Sequence, residues 1–183
     1  MKHSMDQDIL KVLLTEEEIR RRVQEIGKEL YDRFEDKNPL FVGVLNGCFM
    51  FMADLVRATQ VRSQMEFIGV SSYQNGTKSS GVVQITRDLQ HDITGRNIII
   101  VEDILDSGNT LAYLRGYLKS KGAGSVTIVT LLDKPSRRRE DIVADYAGFV
   151  VPDEFVVGYG LDYAQSYRNL PYIGVLKPEV YSK

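Results

Sequence analysis

The chain has 183 residues, one domain's worth, and a core of that size can bury roughly 70% of the unfolded surface. Hydrophobic content of 43% with 26% charged residues argues against disorder, and a net charge of −2 gives no diffuse attraction to nucleic acid or anionic lipid. One cysteine, Cys48, excludes an internal disulfide, His3 and His91 are too few to suggest zinc, and no apolar run has membrane-spanning or signal-peptide length. A cytoplasmic globular protein is expected.

In chain order, Thr15-Glu16-Glu17-Glu18 reads as a capping box. Ile19, Val23, Ile26, Leu30 and Phe34 then recur at helical spacing, and Asn38-Pro39 closes the element. Residues 40–45 form a short apolar run, the pattern of a strand buried on both faces. A helix is predicted over 49–58 and a strand over 65–70. Residues 71–81 are polar and contain the turn signal Asn75-Gly76, with a strand predicted at 82–86.

Ile98-Ile99-Ile100-Val101 is the clearest buried strand. Leu111, Leu114 and Leu118 mark a helix that stops near Gly122, and 126–132 reads as another buried strand. The alternation of apolar strands and helices from 40 to 132 predicts a parallel, doubly wound α/β sheet. Short strand-like pieces beyond 133 read as a cap on that sheet.

The chemistry concentrates in Val101-Glu102-Asp103-Ile104-Leu105-Asp106-Ser107-Gly108-Asn109-Thr110. A buried strand runs into two adjacent acids, then a short polar loop, then a helix. Ligands of such sheets sit at the carboxyl ends of strands, and successive loop amides backed by a helix N-terminus form an anion cradle. Gly108 permits close approach, and Ser107 and Thr110 add hydroxyls. Three carboxylates in five residues oppose a phosphate, so they imply a polyhydroxylated ligand or a divalent cation. A ribose phosphate satisfies both halves. Cys48 reads as a packed thiol, and Arg137-Arg138-Arg139 as a solvated basic run, with nucleic-acid binding its minority reading.

The stretch 101–110 closely resembles the phosphoribosyl-diphosphate loop of type I phosphoribosyltransferases, and other segments resemble the hypoxanthine-guanine branch of that family. Leu45-Asn46-Gly47 lies where the family has its small pyrophosphate loop. Ser72-Tyr73 opens a segment, 71–81, similar to its mobile lid. Lys134 stands where the family reads the purine 6-oxo group, and residues 152–163 are similar to the base-binding and metal-binding signature, with Arg168 following at the family's spacing.

That resemblance implies a five-stranded parallel sheet flanked by helices, forming a single domain over 1–183. Its core spans about 36–132 under a small hood from about 1–35 and 133–183. It implies transfer of 5-phosphoribosyl from 5-phosphoribosyl 1-diphosphate to N9 of a 6-oxopurine, with Mg²⁺ as cofactor. By position Asp106 is the base near purine N7, Glu102 and Asp103 hold the ribose hydroxyls, and residues 106–110, Asn109 among them, cradle the 5′-phosphate. Phe155 stacks on the purine, Val156 offers its backbone, Asp162 joins Glu102 and Asp103 as a metal group, and Arg168 meets pyrophosphate. Asn46 and Asn109 stand where many members carry lysine, so substrate affinity is the quantity those two positions affect. A homodimer or homotetramer is implied, with no nucleic-acid or membrane partner. The rival reading is a regulatory RNA-binding protein on the same fold, and transfer to a pyrimidine or to adenine conflicts with the base signature.

Overall fold

The structure, a computed structural model, describes residues 5–72 and 83–182. After a short turn at Asp6–Asp8 come β1 (Ile9–Leu14), α1 (Glu16–Phe34), β2 (Leu40–Leu45), α2 (Phe49–Thr59) and β3 (Gln64–Ser72). Then follow β4 (Val83–Arg87), β5 (Asn97–Leu105), α3 (Asn109–Ser120), β6 (Ser125–Asp133), β7 (Tyr146–Val150), β8 (Val156–Val157), β9 (Ile173–Leu176) and α4 (Pro178–Tyr181).

The capping box closes as the sequence predicts. The Thr15 hydroxyl accepts from the Glu18 amide at 3.2 Å, while the Glu18 carboxylate accepts from the Thr15 amide at 2.8 Å. All five residues of the apolar stripe of α1 are buried. Gly27 lets α1 approach α2 closely, because a Cβ there would sit 2.8 Å from the Ala58 backbone.

The main sheet has the order β4-β3-β2-β5-β6-β7. Five strands are mutually parallel, as expected, and β4 adds an antiparallel edge beside β3. Side chains alternate between its faces. Phe41, Ile99, Val101, Val129 and Leu131 join α1 and α2 on one side, while Val42, Val44, Ile98, Ile100 and Ile128 meet Leu111, Leu114 and Leu118 of α3 on the other. Both faces are covered, which is why these strands read as continuous apolar runs.

Between β2 and β5 the winding reverses, since β3 lies to one side of that pair and β6 to the other. Such a switch point opens a crevice at the carboxyl ends of its strands. The loops after β2 and β5 border it. The hood is a three-stranded antiparallel sheet, β1-β9-β8, packed through Val157, Tyr167, Leu170 and Leu176.

Three boundaries differ from the sequence reading. β5 does not end at its two acids: beyond them Ile104 still pairs with Leu132 and Leu105 with Asp133, because β6 is long enough to continue the ladder. β7 joins the main sheet beside β6, and α1 packs in the core beneath it, so the core extends past 36–132 at both ends. The expected cap therefore begins only after Val150. β1 had no sequence signal, since its mixed burial follows no two-residue alternation. The lid expected at 71–81 falls, beyond Ser72 at the end of β3, outside the described residues; so do Tyr73 and Asn75-Gly76. Among the described residues no helix is long and apolar enough to cross a membrane.

Candidate active site

A cavity of about 250 Å³ opens at the β2/β5 switch point, lined by Leu45, Glu102, Asp103 and the 105–108 loop. Glu102 is buried and Asp103 half-buried, and their carboxyls lie close enough to influence each other. Burial holds the Glu102 carboxyl well above the usual carboxylate range, and the Asp103 charge adds to it; burial also raises Asp103. Asp103 accepts from the Ile104 amide at 2.8 Å. It rests against Gly47, where a Cβ would collide with its carboxylate. Leu45 lines the cavity and Gly47 backs Asp103, with a cis peptide between Leu45 and an exposed Asn46.

The polar loop after β5 leads directly into α3. Gly108 caps α3 with φ +89°, a left-handed conformation that favours glycine, and the Asn109 amide leans toward the Ser107 hydroxyl at 3.4 Å. First-turn amides of a helix have no intrahelical partner, so the start of α3 at Asn109 and Thr110 offers donors and the positive dipole end. Thr110 lines the cavity.

A second cavity, about 540 Å³, adjoins the first, because Ile104 and Asp106 line both. Asp106 is exposed at that junction. The walls include Lys134, Phe155, Val156 and Leu161. Lys134 does not face water: it is 8% exposed, donates to the Glu154 carbonyl at 2.9 Å and lies 3.9 Å from Asp153. Phe155 is 39% exposed, and one face stacks on Tyr181 of α4 at 4.8 Å between centroids. Val156 is buried on β8, the edge strand of the hood.

The remaining predicted residues meet beside Gly47. Asp162 pairs with Arg168 at 2.8 Å and accepts from the Gln165 amide at 2.8 Å. Arg168 also donates to the Gly160 carbonyl at 2.8 Å, and Gly160 packs so closely on the Gly47 carbonyl that a Cβ would collide. The Arg168 charge reaches Asp103 and partly offsets the rise from burial. Among the described residues, no three His, Cys, Asp or Glu side chains gather into a group able to hold a metal alone. Cys48 is buried behind this loop, and burial raises its thiol, consistent with a packed residue.

Sequence reasoning missed three residues here. Tyr181 lines the second cavity from a helical turn too short to show periodicity. Arg137 lines it too and pairs with Asp153 at 2.7 Å, and Arg138 donates to the Asp106 carbonyl in the loop after β5. The one available signal for the arginines was their place a few residues after β6 and Lys134.

A family model described as the phosphoribosyl transferase domain matches residues 11–164. The hypoxanthine-guanine phosphoribosyltransferase of Bacillus subtilis is 57% identical over 177 residues, covering 97% of this chain and 98% of that protein. The bifunctional protein TilS/HprT of Listeria monocytogenes is 56% identical over 180 residues; the chain spans 28% of its length. A crystal structure of a hypoxanthine phosphoribosyltransferase from Staphylococcus aureus superposes with a TM-score of 0.96 at 50% identity, covering both chains completely.

Proposed function

Since the chain belongs to the hypoxanthine-guanine branch of the phosphoribosyltransferases, we propose that it is a purine-salvage enzyme. It moves 5-phosphoribosyl from 5-phosphoribosyl 1-diphosphate to N9 of hypoxanthine or guanine, giving IMP or GMP and pyrophosphate. The observation that carries this reading is the pair of adjoining cavities with Asp106 at their junction. One offers amides and acids, suited to a sugar phosphate; the other offers an aromatic ring and a buried lysine, suited to a base.

Residues 106–110 hold the 5′-phosphate through amides and hydroxyls. Glu102 and Asp103 take the ribose hydroxyls, and their negative field stabilises the oxocarbenium-like sugar as pyrophosphate departs. Asp106 accepts the purine proton near N7. Phe155 stacks on the base, Val156 meets its edge through the backbone, and Lys134 donates to the 6-oxo group. Ser72 and Tyr73 belong to the segment that would shield the reaction from water. Leu45-Asn46-Gly47 and Arg168 receive pyrophosphate, Arg168 as a charge-assisted donor.

The donor set fits magnesium. Glu102, Asp103 and Asp162 supply hard oxygens but no complete cage, which suits an ion that keeps waters and arrives on a diphosphate. Bound there, it would supply counter-charge to the leaving pyrophosphate. An RNA-binding regulator draws no support, because Arg137 and Arg138 direct their charge onto Asp153 and Asp133.

Two measurements follow. Pyrophosphate release from phosphoribosyl diphosphate should require both a 6-oxopurine and a divalent cation; full turnover in excess chelator would contradict the metal assignment. Gly47→Ala should raise KM for phosphoribosyl diphosphate about tenfold or more, because its Cβ displaces the Asp103 carboxylate. An unchanged KM would mean that this contact does not shape the sugar site.

A further inference from the structure

The basic run 137–139 reads in the sequence as solvated surface, yet its middle member points inward. The Arg138 side chain is 16% exposed, and its guanidinium fans across four acceptors. Nε donates to the Asp106 carbonyl at 2.9 Å and Nη2 to that of Leu105 at 3.3 Å. Nη1 donates to the Ile142 carbonyl at 2.6 Å, and Nη2 also pairs with the Asp133 carboxylate. The neighbouring backbone extends the pattern. The amides of Arg139 and Glu140 donate to the Ser107 carbonyl at 2.9 and 3.2 Å, and the Lys134 amide to Leu105 at 2.9 Å.

Three successive carbonyls, 105 to 107, are therefore drawn toward one segment, 134–140. A strand would alternate them. In a trans peptide the carbonyl and the following N–H point in opposite directions. Holding these carbonyls toward Arg138 thus turns the amides of Asp106, Ser107 and Gly108 the other way, as an anion nest requires. Residues 105–108 line the smaller cavity.

We propose that Arg138 is a positioning residue that orients the phosphate-binding amides and ties their loop to the strand end carrying Lys134. The inference rests on the reading of 106–110 as the phosphate cradle. It specifies a guanidinium, since a planar fork with five donors spans these acceptors and an ammonium does not.

The test is Arg138→Lys, which keeps a cation for Asp133 so that the fold survives. Arg139→Ala serves as control, because that side chain is exposed and only its backbone amide is used. Calorimetric affinity for IMP reads the cradle without turnover, and kinetics read KM for each substrate. Melting temperature separates positioning from global damage. Expected for Arg138→Lys are an affinity for IMP and a KM for phosphoribosyl diphosphate each worsened about tenfold or more, with the purine KM changed less than about threefold. Arg139→Ala should match the parent. Wild-type affinity for IMP in Arg138→Lys, or equal worsening for base and sugar phosphate, would overturn the inference. Failure of turnover in the parent with intact IMP binding would instead strike the reaction assignment.

Discussion

Replacing Asp106 with asparagine is expected to lower kcat about 10²–10⁴-fold, the usual loss when a general base is removed, while KM for either substrate moves little. The amide keeps the size of the carboxylate but cannot take a proton. Two features of the structure support this expectation. Asp106 alone among the three acids is exposed at the junction of the cavities, whereas Glu102 is buried and Asp103 is fixed against Gly47. Its backbone is also anchored, by the Arg138 bond to its carbonyl, so the substitution should not shift the loop. Steady-state kinetics at saturating sugar diphosphate check this directly. A variant within a few-fold of the parent would mean that Asp106 only positions substrate.

The second large effect concerns base choice. Lys134 is donor-only, so in the proposed role it would pair with a 6-oxo group and oppose the 6-amino group of adenine. Its burial makes the mismatch costly, since adenine would leave a charge turned from water with a donor against it. Sites built around such a hydrogen bond reject the mismatched analogue by roughly 10⁴–10⁵-fold. The bonds to the Glu154 carbonyl and toward Asp153 hold the ammonium at the cavity wall before any base arrives. Lys134→Met should reduce kcat/KM for hypoxanthine and guanine and narrow their advantage over adenine. Undiminished discrimination in the variant would remove Lys134 as the reader of the base.

What the sequence made legible was local or compositional. The capping box and stripe of α1 depend on spacings of three and four residues, and the structure keeps both. β2, β5 and β6 are buried on both faces, so they announce themselves as apolar runs. The 101–110 segment stands out because acids, glycine and hydroxyls rarely cluster after such a strand for structural reasons alone. What stayed hidden depends on partners distant in sequence. The reach of β5 past Glu102 is decided by the length of β6, and the place of β7 by pairing with that same strand. Arg138 looks like its exposed neighbours until the carbonyls of 105 and 106 are brought beneath it. Tyr181 meets Phe155 only because β9 returns the chain end to the hood.

The most direct measurement offers the chain phosphoribosyl diphosphate and magnesium with equal amounts of hypoxanthine, guanine, xanthine, adenine and uracil, and identifies the nucleotides formed by mass and chromatographic comparison with N9-linked standards. The account predicts IMP and GMP with equimolar pyrophosphate, and neither AMP nor UMP above background. Formation of AMP or UMP at rates comparable to IMP, or no nucleotide from any 6-oxopurine, would contradict it.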